Sequence, residues 1–141
     1  MKKILVPVDG SQHSIRALET ALSMASEAQA TTLHVITVQA PIVSGNVTQF
    51  ISAKNLAAFY EDEGRKALEP VKHLLDQAGL TCTDQVVVGP IAEVIVDYAR
   101  KHDCDHIVMG TRGHGRIGGL LLGSTAVKVI SLAAVPVTLV K

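Results

Sequence analysis

Short apolar runs alternate along this chain with stretches whose apolar residues return every three or four positions, and that alternation predicts strands and helices in turn. Ile4-Leu5-Val6 is a continuous apolar run ending in Pro7-Val8-Asp9-Gly10-Ser11, the pattern of a strand buried on both faces and followed by a turn. From Ser11, the residues Ile15, Leu18, Ala21, Leu22 and Ala25 recur at helical spacing, with Ser11 placed to cap the first turn. Residues 31–38 read as a second strand and residues 41–46 as a loop. Residues 48–78 carry helical spacing through Leu56, Phe59, Leu68, Val71, Leu74 and Leu75, with Gly64 and Pro70 expected to bend or interrupt the helix. Gly79 closes that pattern, and residues 80–88, rich in Val and Thr, read as a third strand. Gly89-Pro90 restarts a helix whose stripe is Ile91, Val94, Ile95, Tyr98 and Ala99. Residues 106–109 form a fourth strand, a glycine-rich loop follows, and residues 124–133 make a short helix. Residues 135–140 close the chain as a fifth strand, marked as an edge by Pro136.

Alternating strands and helices imply an α/β fold with an open parallel sheet and helices on both faces. The 141 residues fit one domain spanning 1–141, and 48% hydrophobic against 18% charged residues excludes disorder. A net charge of zero argues against a nonspecific nucleic-acid binder, and 3% aromatic residues leaves few platforms for stacked bases. Cys82 and Cys104 make no disulfide framework, which points to a reducing cytoplasm. The opening Met1-Lys2-Lys3 resembles a signal peptide only briefly, since Pro7 and Asp9 stop the apolar run, and no later segment reaches membrane-spanning length.

The densest chemical signal is Gly110-Thr111-Arg112-Gly113-His114-Gly115-Arg116-Ile117-Gly118-Gly119-Leu120-Leu121-Leu122-Gly123-Ser124. Glycines let backbone N–H groups converge on an anion, and a helix starting near Ser124, with its hydroxyl as cap, adds a positive dipole end: a place for a phosphate. No Asp or Glu follows Asp105, while Arg112, Arg116 and Lys128 lie in or beyond the loop. Asp9 and Gly110 each end a predicted strand, where open α/β sheets bind ligands. Gly113-His114-Gly115-Arg116-Ile117-Gly118 spells a dinucleotide fingerprint, but it follows the wrong strand and has no acid downstream. A phosphate-loop reading fails because Ser124 stands where the lysine belongs. His102-Asp103-Cys104-Asp105-His106 raises a zinc site, yet it straddles a helix end and a strand start without a second ligand cluster. Its expected role is structural, with Cys104 as a small apolar residue. His34 is expected to face the sheet, and His13 and His73 the surface of their helices. Of the six histidines, His114 is the one placed for chemistry.

With these motifs the sequence resembles the nucleotide-binding branch of the universal stress protein family over essentially its whole length. The opening Ile4-Leu5-Val6-Pro7-Val8-Asp9-Gly10-Ser11 carries part of the resemblance. The rest comes from Gly110, two residues, Gly113, nine residues and Gly123-Ser124, which matches the family's ATP-binding signature without a gap. The resemblance implies a Rossmann-like sheet in the order 3-2-1-4-5, so that strands one and four meet at the switch point. It implies ATP with Mg as ligand: Asp9 on the ribose or base side, Pro7 and Val8 packing nearby, Val35 reading the adenine edge and Met109 flanking the nucleotide. Gly110, Thr111, Arg112, Gly113, His114, Gly115 and Arg116 would wrap the ribose and phosphates. Gly123, Ser124, Thr125 and Ala126 would form the phosphate-binding helix start. A homodimer through residues 135–140 is also implied. The functional expectation is a cytoplasmic stress-response module that signals by nucleotide occupancy. A slow ATPase or phosphotransferase using Asp9 and His114 stands as the alternative, and a module that binds protein through its glycine loop as a third reading.

Overall fold

Ile4, Leu5 and Val6 have no solvent exposure, because the strand that carries them is covered on both sides. In the computed structural model, which describes residues 1–29, 32–42, 51–112 and 122–141, this strand is β1 (Lys3–Pro7). Ile4 and Val6 enter one apolar cluster and Leu5 the opposite one, as the two-residue period of a strand requires. Each fully buried side chain of this kind contributes roughly 1.5–3 kcal/mol.

The chain continues through α1 (Gln12–Ala28), β2 (Thr32–Gln39), α2 (Ala53–Leu68), a 3₁₀ turn (Glu69–Val71), α3 (Lys72–Asp76) and β3 (Thr81–Val88). It closes with α4 (Ile91–Lys101), β4 (His106–Gly110), α5 (Ser124–Leu132) and β5 (Val137–Val140). The five strands are parallel and ordered β3-β2-β1-β4-β5. Ala17, Leu18 and Ala21 of α1 pack with Leu68 and Val71 on one face of the sheet. Ala92, Ile95 and Ala99 of α4 pack with Ala126 and Val129 of α5 on the other. The α/β architecture expected from the alternating pattern, and the strand order implied by the resemblance, are those of the molecule.

Three local features differ from the sequence pattern. The long helix expected over 48–78 is α2, a 3₁₀ turn and α3, with Pro70 inside the turn as the break. Gly64 does not interrupt α2; a side chain there would run into Val86, so the glycine lets helix and β3 approach. Pro136 stands outside β5, whose ladder begins at Val137, and its carbonyl accepts the Ile107 N–H at 3.0 Å.

Candidate functional site

β1 sits between β2 and β4, strands reached by opposite directions of winding, so the sheet's switch point lies beyond the C-terminal ends of β1 and β4. A cleft of about 730 Å³ opens there. Its floor is made by Pro7, Val8, Asp9 and Gly10 after β1, and by Met109, Gly110, Thr111 and Arg112 at the end of β4. Val38, Gln39 and Ala40 border it at the end of β2, and Gly123 through Ala126 at the start of α5.

The β1 side is built by a compact turn. Asp9 Oδ1 accepts the Ser11 N–H at 2.9 Å, Gly10 takes φ 83°, and Ser11 Oγ accepts the Ser14 N–H at 3.3 Å as the cap of α1. Asp9 is exposed and has one carboxylate oxygen committed to this turn, so it combines a structural role with a place on the cleft wall. On the β4 side, Gly110 is required by packing. A Cβ there would come within 2.9 Å of His13 Cβ and 3.0 Å of the His13 backbone. His13 is accordingly buried rather than on the helix surface. Thr111 then ties three elements together, its N–H donating to Val140 O at 2.9 Å and its carbonyl accepting the Gly123 N–H at 2.7 Å.

Two polar atoms beside the cleft, Thr111 Oγ1 and Arg112 Nε, are buried without a hydrogen-bond partner among the described residues. Such groups cost free energy unless a ligand or solvent meets them. α5 begins alongside with Gly123 as its N-cap, and no side chain among the described residues caps its first amides. The expected Ser124 hydroxyl cap is therefore corrected: Ser124 is the first helical residue, and the amides of Ser124, Thr125 and Ala126 open the helix with its positive dipole end toward the cleft. Together these groups are hydrogen-bond donors and a partial positive charge, a set that fits an anion.

Of the residues expected at the site, Pro7, Val8, Asp9, Met109, Gly110, Thr111, Arg112, Gly123, Ser124, Thr125 and Ala126 border this one cleft. Val35 does not. It lies mid-strand between Val6 and Asp84, wholly buried, and β2 meets the cleft three residues later. Gly113, His114, Gly115 and Arg116 lie outside the described residues. Lys128 pairs with Glu93 of α4, a hydrogen bond that holds the Glu93 carboxyl below its ordinary range, so its charge is spent between helices. The zinc possibility over 102–106 has no counterpart, since no group of three metal-binding side chains occurs among the described residues. Burial pushes the Cys104 thiol up to about 11, as for a small apolar core residue. Sequence reading missed the far wall, formed by Glu63, Lys66 and Ala67 of α2 with Pro70, and by Ile91 and Ile95 of α4. Periodicity reveals a helix's buried stripe but not which strand ends its terminal turns will meet.

The universal stress protein family model matches residues 1–141. The chain belongs to the universal stress protein family. Universal stress protein MJ0531 of Methanocaldococcus jannaschii is 34% identical over 140 residues, covering 99% of this chain and 82% of the relative. The solved structure of MJ0577 from the same organism superposes with a TM-score of 0.85 at 29% identity, over 99% of this chain and 95% of that one. A universal stress protein crystallised in complex with cAMP matches with a TM-score of 0.72 at 27% identity, over 99% and 97% of the two chains. No helix among the described residues is long and apolar enough to cross a membrane.

Proposed function

We propose that the cleft binds an adenine nucleotide, ATP accompanied by Mg, and that its occupancy is the regulatory signal of this universal stress protein. The observation that carries the reading is the meeting, at the switch point, of an uncapped α5 N-terminus with the unpartnered donors of Thr111 and Arg112. The cleft volume is in the range of small-molecule sites, and a relative of this fold has been solved with cAMP. Phosphate oxygens would take the α5 amides and the Thr111 and Arg112 donors. Apolar Pro7, Val38, Ile91 and Met109 would offer a surface for the base. Bound nucleotide stabilises the folded state by mass action and fixes the start of α5 against the end of β4, altering the surface presented to a partner. A cytoplasmic setting agrees with the two free thiols of Cys82 and Cys104. We place a homodimer contact at residues 135–140, along the open edge of β5.

Calorimetric titration of nucleotide-stripped protein with MgATP tests the site, alongside Gly123→Asp. Gly123 has the extended φ −76°, ψ 162° of an N-cap, and a Cβ there meets nothing among the described residues closer than 3.4 Å, which leaves room for an aspartate. Its carboxylate would cap the same amides and add a negative charge, strengthening the helix by a few tenths of a kcal/mol while expelling phosphate. The expected result is saturable binding by the wild type, weakened about tenfold or more in the variant (1.4 kcal/mol), with an unchanged or raised melting temperature. No binding by the wild type, or equal binding by both proteins, overturns the assignment.

A further inference from the structure

At the opposite end of the sheet from the cleft, three rings are packed together where the C-terminal half of α4 lies on β2. His34 and Tyr98 meet edge to face with centroids 5.6 Å apart, Tyr98 and His102 lie at 3.9 Å, and His34 and His102 at 5.6 Å. His34 Nδ1 is 3.0 Å from Tyr98 Oη and 3.2 Å from Thr83 Oγ1 on β3. With the proton on Nε2, the single lone pair of the bare Nδ1 accepts the nearer hydroxyl, that of Tyr98, whose oxygen is in turn hydrogen-bonded by Thr83. Charging the ring replaces this acceptor with a donor. The Tyr98 hydroxyl must then accept from Nδ1 instead of donating to it, and the bonds that tie α4 to β2 and β3 must rearrange.

Burial and two neighbouring groups oppose that charge. β1 contributes Lys3 and α4 contributes His102, both of which, after burial itself, lower the proton affinity of His34 below its usual 6.5. Burial raises Tyr98 and pushes Cys104 up to about 11, so neither supplies a compensating anion near neutral pH. Carboxylates nearby are engaged elsewhere: Asp105 Oδ2 accepts the Lys2 N–H at 2.7 Å, and Asp84 of β3 pairs with Arg65 at 3.2 Å. Asp103 follows α4 in the turn, at φ 53°.

We propose that the His34–Tyr98–His102 stack is an acid-sensitive latch, holding the C-terminal half of α4 on the sheet while the His34 imidazole is neutral and releasing it when that ring charges. Below the unfolded-state value near 6.5, the unfolded chain binds the proton that the folded ring resists, so stability falls as the pH drops through that point toward the lower folded value. Because Ile91 and Ile95 at the other end of α4 border the cleft, loosening the helix reaches the cleft wall as well. The latch itself does not depend on what the cleft binds.

Its test uses ligand-free full-length protein. Thermal melting and backbone hydrogen exchange over residues 91–101 are followed from pH 7.5 to pH 5 for the wild type and for His34→Gln, whose amide keeps a hydrogen-bond partner for the hydroxyls without titrating. After correction for intrinsic exchange, protection of α4 should fall with acid in the wild type severalfold more than in the variant. The wild-type melting curve should show the steeper acid decline. Equal pH dependence in the two proteins overturns the latch. If His34→Gln does not fold, His102→Gln leaves the His34 hydrogen bonds in place, removes a neighbour that lowers the His34 proton affinity and should flatten the acid decline; an unchanged decline overturns it. NMR titration of the wild-type imidazole gives the same decision, since a His34 midpoint at or above 6.5 is incompatible with the latch.

Discussion

Gly110 and Gly123 bracket the same cleft but answer to different constraints. At Gly110 an added methyl group would press on the backbone and Cβ of His13, parts of α1 that cannot rotate away. Gly110→Ala should therefore destabilise the fold by about 1–3 kcal/mol, the usual cost of overpacking, seen as a lower urea midpoint with or without nucleotide. A midpoint within about 0.5 kcal/mol of wild type would mean that α1 gives way at this contact. Gly123 has ordinary van der Waals room and an extended φ, which leaves its place to be argued from the amides that follow it. Glycine spacing in the sequence marked both positions as one signal. Only packing separates the glycine that the fold requires from the glycine that opens the helix start.

The helices differ in how their first turns are satisfied. Ser11 caps α1, with its Oγ taking the Ser14 N–H while Ser14 Oγ donates to the Ser11 carbonyl at 2.9 Å; Ser52 caps α2 through the Asn55 N–H at 3.1 Å. The N-cap residues of α3, α4 and α5 give no such side-chain bond. Ser11→Ala should cost about 1 kcal/mol in chemical denaturation, and because the turn also holds Asp9, nucleotide affinity should fall with it. Full stability in this variant would show that the Asp9 turn persists without its cap. These elements were legible to different degrees. Uninterrupted apolar runs such as Ile4-Leu5-Val6 and Ile107-Val108-Met109 gave the central strands, since a strand buried on both faces has no other pattern. Pro70 marked the break after α2 because its missing N–H does not depend on context. Contacts fixed by the folded arrangement were not legible: the burial of His13 under Gly110, the Lys128–Glu93 pair between two helices, and the α2 wall of the cleft.

In the whole molecule the two outer strands are unequally protected. β3 runs alongside β2 for eight register pairs and carries Asp84, held by Arg65 of the overlying α2, so a charge stands on that margin. β5 is four residues long, uncharged, and paired on one side only, with Val137, Thr138, Leu139 and Val140 each half-buried. Ile107 N donates to Pro136 O and Thr111 N to Val140 O, so the peptide groups of residues 136, 138 and 140 turn toward β4 and those of 137 and 139 turn outward. Pro136 lies outside the ladder, so it does not interrupt the row of outward groups along Val137–Val140. Edge pairing between two copies would satisfy these outward groups without bringing charges together, so the dimer should be insensitive to salt. Sedimentation is expected to give twice the 14.9 kDa chain mass at low and high ionic strength alike, with a melting temperature that rises with protein concentration. A monomeric mass with concentration-independent melting would leave β5 as a solvated edge and remove the proposed self-association, while the cleft and its ligand reading stand on separate residues.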